Sequence, residues 1–234
     1  GSSSAPIHIG AHSVENAFFN GSIDELVIYS GMLSSSDVKT IYRSSAPFQG
    51  SFALYHFSEP FYSRTFAEVR DASGNNNHGT AFNGATTSRT GIDGSSALFD
   101  GINHYINVSE FSSPDTLSKF TFSLWLRTFQ RETYPLLTKY NSNSDGTFSV
   151  SLQSTSLKVI MINTTGFFKE YTSPPLSSVG DSLWHHIVGV YNGTNVILYL
   201  DGSVAGSFPF SGPLKESNRS LKIGSNEPLS LFFN

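Results

Sequence analysis

The stretch DASGNNNHG, residues 71–79, gathers the side-chain oxygens of Asp71, Ser73, Asn75, Asn76 and Asn77 in one loop kinked by Gly74 and Gly79. Calcium takes about six to eight oxygens from carboxylates, amide side chains and backbone carbonyls, and a loop of this composition can supply them. The same residues equally suit a loop of Asx turns, in which each side chain satisfies nearby backbone and no ion is held.

Other residues of chemical interest fit their chemistry less well. His185 and His186 are adjacent, and neighbours on a strand point to opposite faces, so the two imidazoles cannot converge on one ion. One is expected in the core or an interface and the other on the surface. Asp24 and Glu25 are separated by the same alternation, whereas a retaining glycosidase sets two carboxyl groups about 5 Å apart. No Gly-x-Ser-x-Gly elbow, phosphate loop or His-Glu-x-x-His motif occurs, so the chain reads as a non-enzyme. Asp100, in Phe99-Asp100-Gly101, is either a further carboxylate near the 71–79 loop or a turn residue. Phe129, Tyr134, Phe167, Phe168, Tyr171 and Phe208 fall at predicted strand ends or loops, where aromatic rings either stack on sugars or cap a core. Asn20, Asn107, Asn163, Asn192 and Asn218 each open an Asn-x-Ser/Thr sequon and are glycosylation candidates.

The elements that must hold these residues are strands. Two-residue alternation, broken by Gly, Asn and Asp, marks 22–29, 51–57, 104–108, 120–128, 148–153, 157–163, 183–191 and 195–200. Asp201-Gly202 is a type I′ hairpin signal. Residues 33–42 predict one short helix: Ser34 caps it, Asp37 lies three residues on, and Val38, Ile41 and Tyr42 share a face. With 20 Phe and 10 Tyr to fill a core, the chain reads as all-β, a two-sheet antiparallel β-sandwich with one short helix.

Bulk properties narrow the function. The 234 residues suffice for one large β domain or two small ones. A net charge of −4 argues against a nucleic-acid partner. No apolar run long enough to span a membrane is present, and the absence of Cys excludes disulfides and thiolate metal sites.

The chain also repeats itself. IHIGAHSVENAFFN (7–20) and LKIGSNEPLSLFFN (221–234) are both fourteen residues long, share Ile-Gly at their third and fourth places and end on Phe-Phe-Asn, at an offset of 221 − 7 = 214. Residues 1–20 therefore read as the end of a preceding repeat or an N-terminal strand. Residues 21–46 read as a closing strand and helix, and 47–234 as the body of the unit.

Taken from residue 48 onward, the order DASGNNNHGT, ALFDG, FTFSLWLRT, LWHHIVGVY, VILYLDG and, displaced to the front, GSIDELVIYSGMLSSSDVKTIY resembles the laminin-G-like, concanavalin A-like jelly-roll family over residues 7–234. The resemblance implies a jelly roll, and a Ca²⁺ site carried by Asp71, Asn76 and Asp24. It departs from the family in strand order. The front strand completes its own sandwich in permuted order, completes a neighbour's by strand exchange, or marks an arbitrary cut through a tandem array. The function expected is a non-catalytic extracellular structural or adhesive module, one unit of a repetitive assembly joined to copies of itself through strands. The alternative is a calcium-dependent module that binds glycans or extracellular proteins.

Overall fold

The alternation resolves into two stacked sheets. The computed structural model describes residues 7–9, 18–44, 46–48, 50–108, 117–129, 133–142, 145–215 and 221–224. In chain order its elements are β1 (Ile7–Ile9), β2 (Asn20–Tyr29), α1 (Ser35–Ser44), β3 (Ala53–Tyr55), β4 (Thr80–Phe82), β5 (Thr86–Ser88), β6 (Ser96–Asp100), β7 (Tyr105–Val108) and β8 (Phe120–Arg127). They continue as β9 (Thr133–Ser142), β10 (Asp145–Gln153), β11 (Ser156–Ile162), β12 (Phe168–Thr172), β13 (Trp184–Tyr191), β14 (Asn195–Leu200), β15 (Ser203–Pro209) and β16 (Leu221–Ile223). One sheet runs β15-β14-β13-β8-β2-β6-β5, with β3 also on β2; the other runs β12-β11-β10-β9, then β1 and β16, then β7-β4. The expected all-β sandwich with one helix is what forms. Several strands are shorter than alternation suggests: the 51–57 run yields only β3, because its flanks leave the sheet for loops.

Inward-facing residues of both sheets make one core. Phe120 of β8 lies 5.3 Å from Phe148 of β10 across the sandwich, and Leu26, Ile28, Tyr55, Phe57, Phe99, Leu124 and Ile187 are fully or almost fully buried with them. Each such side chain contributes about 1.5–3 kcal/mol by leaving water.

The front strand completes its own sandwich. β2 lies mid-sheet, pairing on one side with β8 and on the other with β6 and then β3. Its register with β8 slips between Asp24 and Val27, where Glu25 adopts φ 45°. This bulge inserts one residue. Strict alternation from Ile23 would turn Glu25, Val27 and Tyr29 inward. Instead Leu26 and Ile28 enter the core, while Val27 and Tyr29 pack on Ile41 of the helix.

The helix begins as its sequence predicts. Asp37 N donates to Ser34 Oγ at 3.2 Å, and Ser34 N donates to Asp37 Oδ2 at 2.8 Å, a reciprocal cap. Val38 packs on Val188, Val190 and Tyr199. Tyr42 stacks on Trp125 at 5.6 Å.

The two echoing phrases meet in the other sheet. β1 and β16 run parallel, Ile7 aligned with Leu221, His8 with Lys222 and Ile9 with Ile223, which is the 214-residue offset. Ile7 and Leu221 both register with Val108 of β7, and His8 and Lys222 both register with Thr138 of β9. The rest of both phrases up to residue 17 and beyond 224 lies outside the described residues.

Candidate functional site

The cleft with the best chemistry opens where β2 begins and β8 ends. It encloses about 170 Å³ and is lined by Asn20, Gly21, Ser22, Leu98, Arg127, Thr128, Phe129 and Ser182. Gly21 lets the two strands close up. At φ 147° it sits where side chains are disfavoured, and a Cβ there would fall inside the Arg127 carbonyl oxygen and against the Phe19 ring. Thr128 Oγ1 donates to Asn20 O at 2.7 Å and Ser182 N donates to Thr128 O at 3.0 Å, which fixes the rim. Arg127 is the one charged residue of the lining. Its Nη2 donates to Thr90 Oγ1 at 3.1 Å, and its guanidinium lies 5.3 Å over the Trp184 ring. Phe129 is 64% exposed, which gives the cleft an apolar ledge beside its hydroxyl and guanidinium groups. Of these, the sequence singled out only Phe129 and Asn20. Arg127 and Trp184 lie 57 residues apart (184 − 127) and meet only through the β8–β13 ladder, in which they are cross-strand partners. A second depression, about 280 Å³ between Pro175–Ser178 and β15, is lined by no aromatic residue.

The other aromatic candidates divide. Phe167 is exposed and Phe168 and Tyr171 are half-buried, but Tyr134 and Phe208 are core residues. Tyr134 packs on Phe19, and Phe208 stacks on Tyr171 at 4.5 Å. Phe61, Phe66 and Ile102 are exposed without having been expected.

Asp71, Asn76 and Asp24 do not fit a calcium ion as placed. Asp71 Oδ1 accepts from Leu54 N and Ser73 N, and its Oδ2 from Ser73 Oγ and Asn77 N, so both oxygens are occupied, Oδ1 in part by β3. Asn76 is exposed at φ 59°. Asp24 serves elsewhere: its Oδ2 accepts from Ile92 N at 2.6 Å and its Oδ1 from Glu25 N at 2.9 Å. Asp71 makes an Asx turn with Ser73 N, while Asn75 Nδ2 and Asn77 Nδ2 each donate to Phe52 O and tie the loop to the segment before β3. No group of three or more His, Asp or Glu among the described residues is arranged to hold a metal. Asp100 is a turn residue, its Oδ1 accepting from the amides of Ile102, Asn103 and His104.

The bulge in β2 gives Asp24 and Glu25 separate partners. Glu25 Oε1 lies 2.8 Å from His56 Nδ1, an ion pair whose hydrogen bond raises the His56 pKa. Burial pushes Asp24 up to about 7. Both carboxylates are thus engaged in holding the bulge.

His185 and His186 diverge as alternation requires, but both are buried, which corrects the expectation of a surface histidine. His185 bridges Asp201 at 2.8 Å and Asp181 at 3.1 Å, and despite the cost of burial those two carboxylates raise its pKa. His186 lies under the helix, 4.9 Å from Trp125, with Nε2 bonded to Ser123 Oγ; burial lowers its pKa to about 4. The hairpin residue Asp201, at φ 49° in its I′ turn, also accepts from His186 N.

Among the sequons, Asn107 and Asn163 are buried, and Asn163 Nδ2 donates to Ser211 O. Asn20 lines the cleft and Asn192 sits half-exposed in a hairpin loop. Asn218 lies outside the described residues.

Among solved structures, the chain is similar to the binding domain of Paraclostridial mosquitocidal protein 1, with 19% identity over 68% of this chain and 46% of that one, TM-score 0.49. It is also similar to the botulinum neurotoxin serotype G binding domain, with 17% identity over 71% and 44%, TM-score 0.47. Mouse laminin alpha1 domains LG4-5 match with 19% identity over 49% and 30%, TM-score 0.39. The chain spans less than half the length of each. No curated protein matches it in sequence. No helix among the described residues is long and apolar enough to cross a membrane. A laminin-G family model, described as the concanavalin A-like lectin/glucanases superfamily, matches residues 100–234. With more than half of its residues inside that match, the chain belongs to the concanavalin A-like lectin/glucanases superfamily.

Proposed function

We propose that the chain is a non-catalytic extracellular binding module whose β2–β8 cleft takes a glycan. The observation that carries this is the pairing of an exposed aromatic ledge, Phe129, with the Arg127 guanidinium held against Trp184. A sugar ring has an apolar face to stack and hydroxyls to bond, and the lining offers both kinds of group. Hydrolysis needs a pair of carboxyl groups, and no Asp or Glu lines the cleft.

The test is a glycan array probed with the protein and with Phe129→Ala, each in calcium and in EDTA. Phe129 is mostly exposed, so its loss should leave the unfolding midpoint unchanged while weakening binding about tenfold or more. A glycan bound equally by the variant places the site elsewhere.

A second reading, a unit joined to like units through strands, is favoured by β1 and β16 registering with the same two partners.

A further inference from the structure

Neighbouring strands in a sheet lie about 4.8 Å apart, so a strand that pairs with both β7 and β9 fills the place between them. Both β1 and β16 pair with both. The chain therefore carries two strands for one place. Leu221–Ile223 is tied there further: Ile223 is fully buried, Gly224 N donates to Leu136 O at 2.7 Å, and Gly224 O accepts from Phe19 N at 3.3 Å. Ile7–Ile9 offers the same backbone register and the same Ile-Gly ending.

We infer that the place between β7 and β9 is an exchangeable strand site, and that Ile7–Ile9, surplus when Leu221–Ile223 is seated, docks into that place in a second copy of the chain. This rests on the second reading above and names its contact. The recognition is backbone pairing, with specificity set by register. Counting strands predicts who pairs with whom. In an intact chain the place is filled from within at high effective concentration, so a second copy's strand must displace Leu221–Ile223 and intact chains join only weakly. A copy with no competent strand has an empty place, which an intact copy, having a strand to spare, can fill.

Proline supplies the variants, since it withdraws the N–H that a strand flanked on both sides commits to a neighbour. Ile9→Pro and Ile223→Pro alone should each leave the unfolding midpoint nearly unchanged. The double variant should lose about 10 °C. In sedimentation experiments the double variant should form a one-to-one complex with the intact chain and none with either single variant, which has no strand to spare. A peptide of residues 7–20 should restore the double variant's midpoint, and this readout serves even where that variant is partly unfolded. If Ile223→Pro alone is as damaging as the double substitution, the two stretches are not interchangeable and the inference falls. It also falls if the double variant is captured equally by intact and single-variant chains. In that case copies join through another surface, and the second reading survives without the strand site.

Discussion

Replacing Asp24 and replacing His186 should tilt the protein's pH–stability profile in opposite directions. Asp24 is raised from 3.8 to about 7 because burial outweighs the amides of Ile92 and Glu25 that favour its charge. The folded state therefore holds a proton there that the unfolded chain releases above pH 3.8, so this group's contribution falls as pH climbs from about 4 to 7. Three units correspond to roughly 4 kcal/mol, an order-of-magnitude figure. His186 is lowered from 6.5 to about 4, again mainly by burial. Here the unfolded chain takes the proton first, so stability is lost as pH drops from 6.5 towards 4, by roughly 3 kcal/mol. Over the same window the two nearly cancel, and the intact protein should show a plateau. Above it, His56 and His185, both raised by carboxylate partners, give stability that is whole below pH 6.5 and lost as pH rises through their folded pKa values. Asp24→Asn should remove one arm, leaving stability that rises from pH 4 to 6.5. His186→Gln, which keeps a polar atom towards Ser123, should leave stability that falls. Urea unfolding at four pH values per variant reads the slopes independently of each substitution's fixed cost. Parallel profiles for Asp24→Asn and the intact protein would refute the assignment.

Neither of these groups could have been ranked from sequence, and the reason is particular to each. Alternation places Asp24 and Glu25 on opposite faces but carries no sign of the bulge. The bulge arises because Ile23 and Leu26 both enter the core, three positions apart, and one residue must be absorbed at Glu25. His186 differs from His185 only in facing the helix, and nothing local says which of the pair the helix covers. Other features were legible because their causes are local. The Ser34–Asp37 cap and the Asp201-Gly202 hairpin each depend on residues within a few positions of one another. Residues 22–29 were legible as a strand from their alternation, and they form most of β2, paired with β6 and β8. The 71–79 loop stands between these cases. Its composition suits a cation or a set of Asx turns equally, and the four donors around Asp71, one of them Leu54 N of β3, could not be read from it. The cleft was least visible, since Arg127, Trp184, Leu98 and Ser22 come from four separate strands.

Gly21→Ala should be strongly damaging for so small a substitution, and it tests whether the cleft and the closing strand form one unit. Two independent penalties meet at this residue. The backbone at φ 147° disfavours any side chain, a cost of about 1–3 kcal/mol. The added methyl also collides with the Arg127 carbonyl, which cannot rotate away because it belongs to the β2–β8 ladder. Relieving such overpacking costs about 1–3 kcal/mol more. Gly74→Ala separates the two effects: it has φ 89° but open space around its would-be Cβ, so it bears the backbone cost alone, about 1 kcal/mol. Denaturant unfolding should therefore rank intact protein, Gly74→Ala and Gly21→Ala in that order, the last lower by about 2–6 kcal/mol. If Gly21→Ala relieves its collision by parting the start of β2 from the end of β8, glycan binding should fall further than Phe129→Ala lowers it, because Ser22, Arg127 and Thr128 move together. Equal stability for the two glycine variants would mean that β2 does not approach β8 this closely, and the cleft would lose the wall that shapes it.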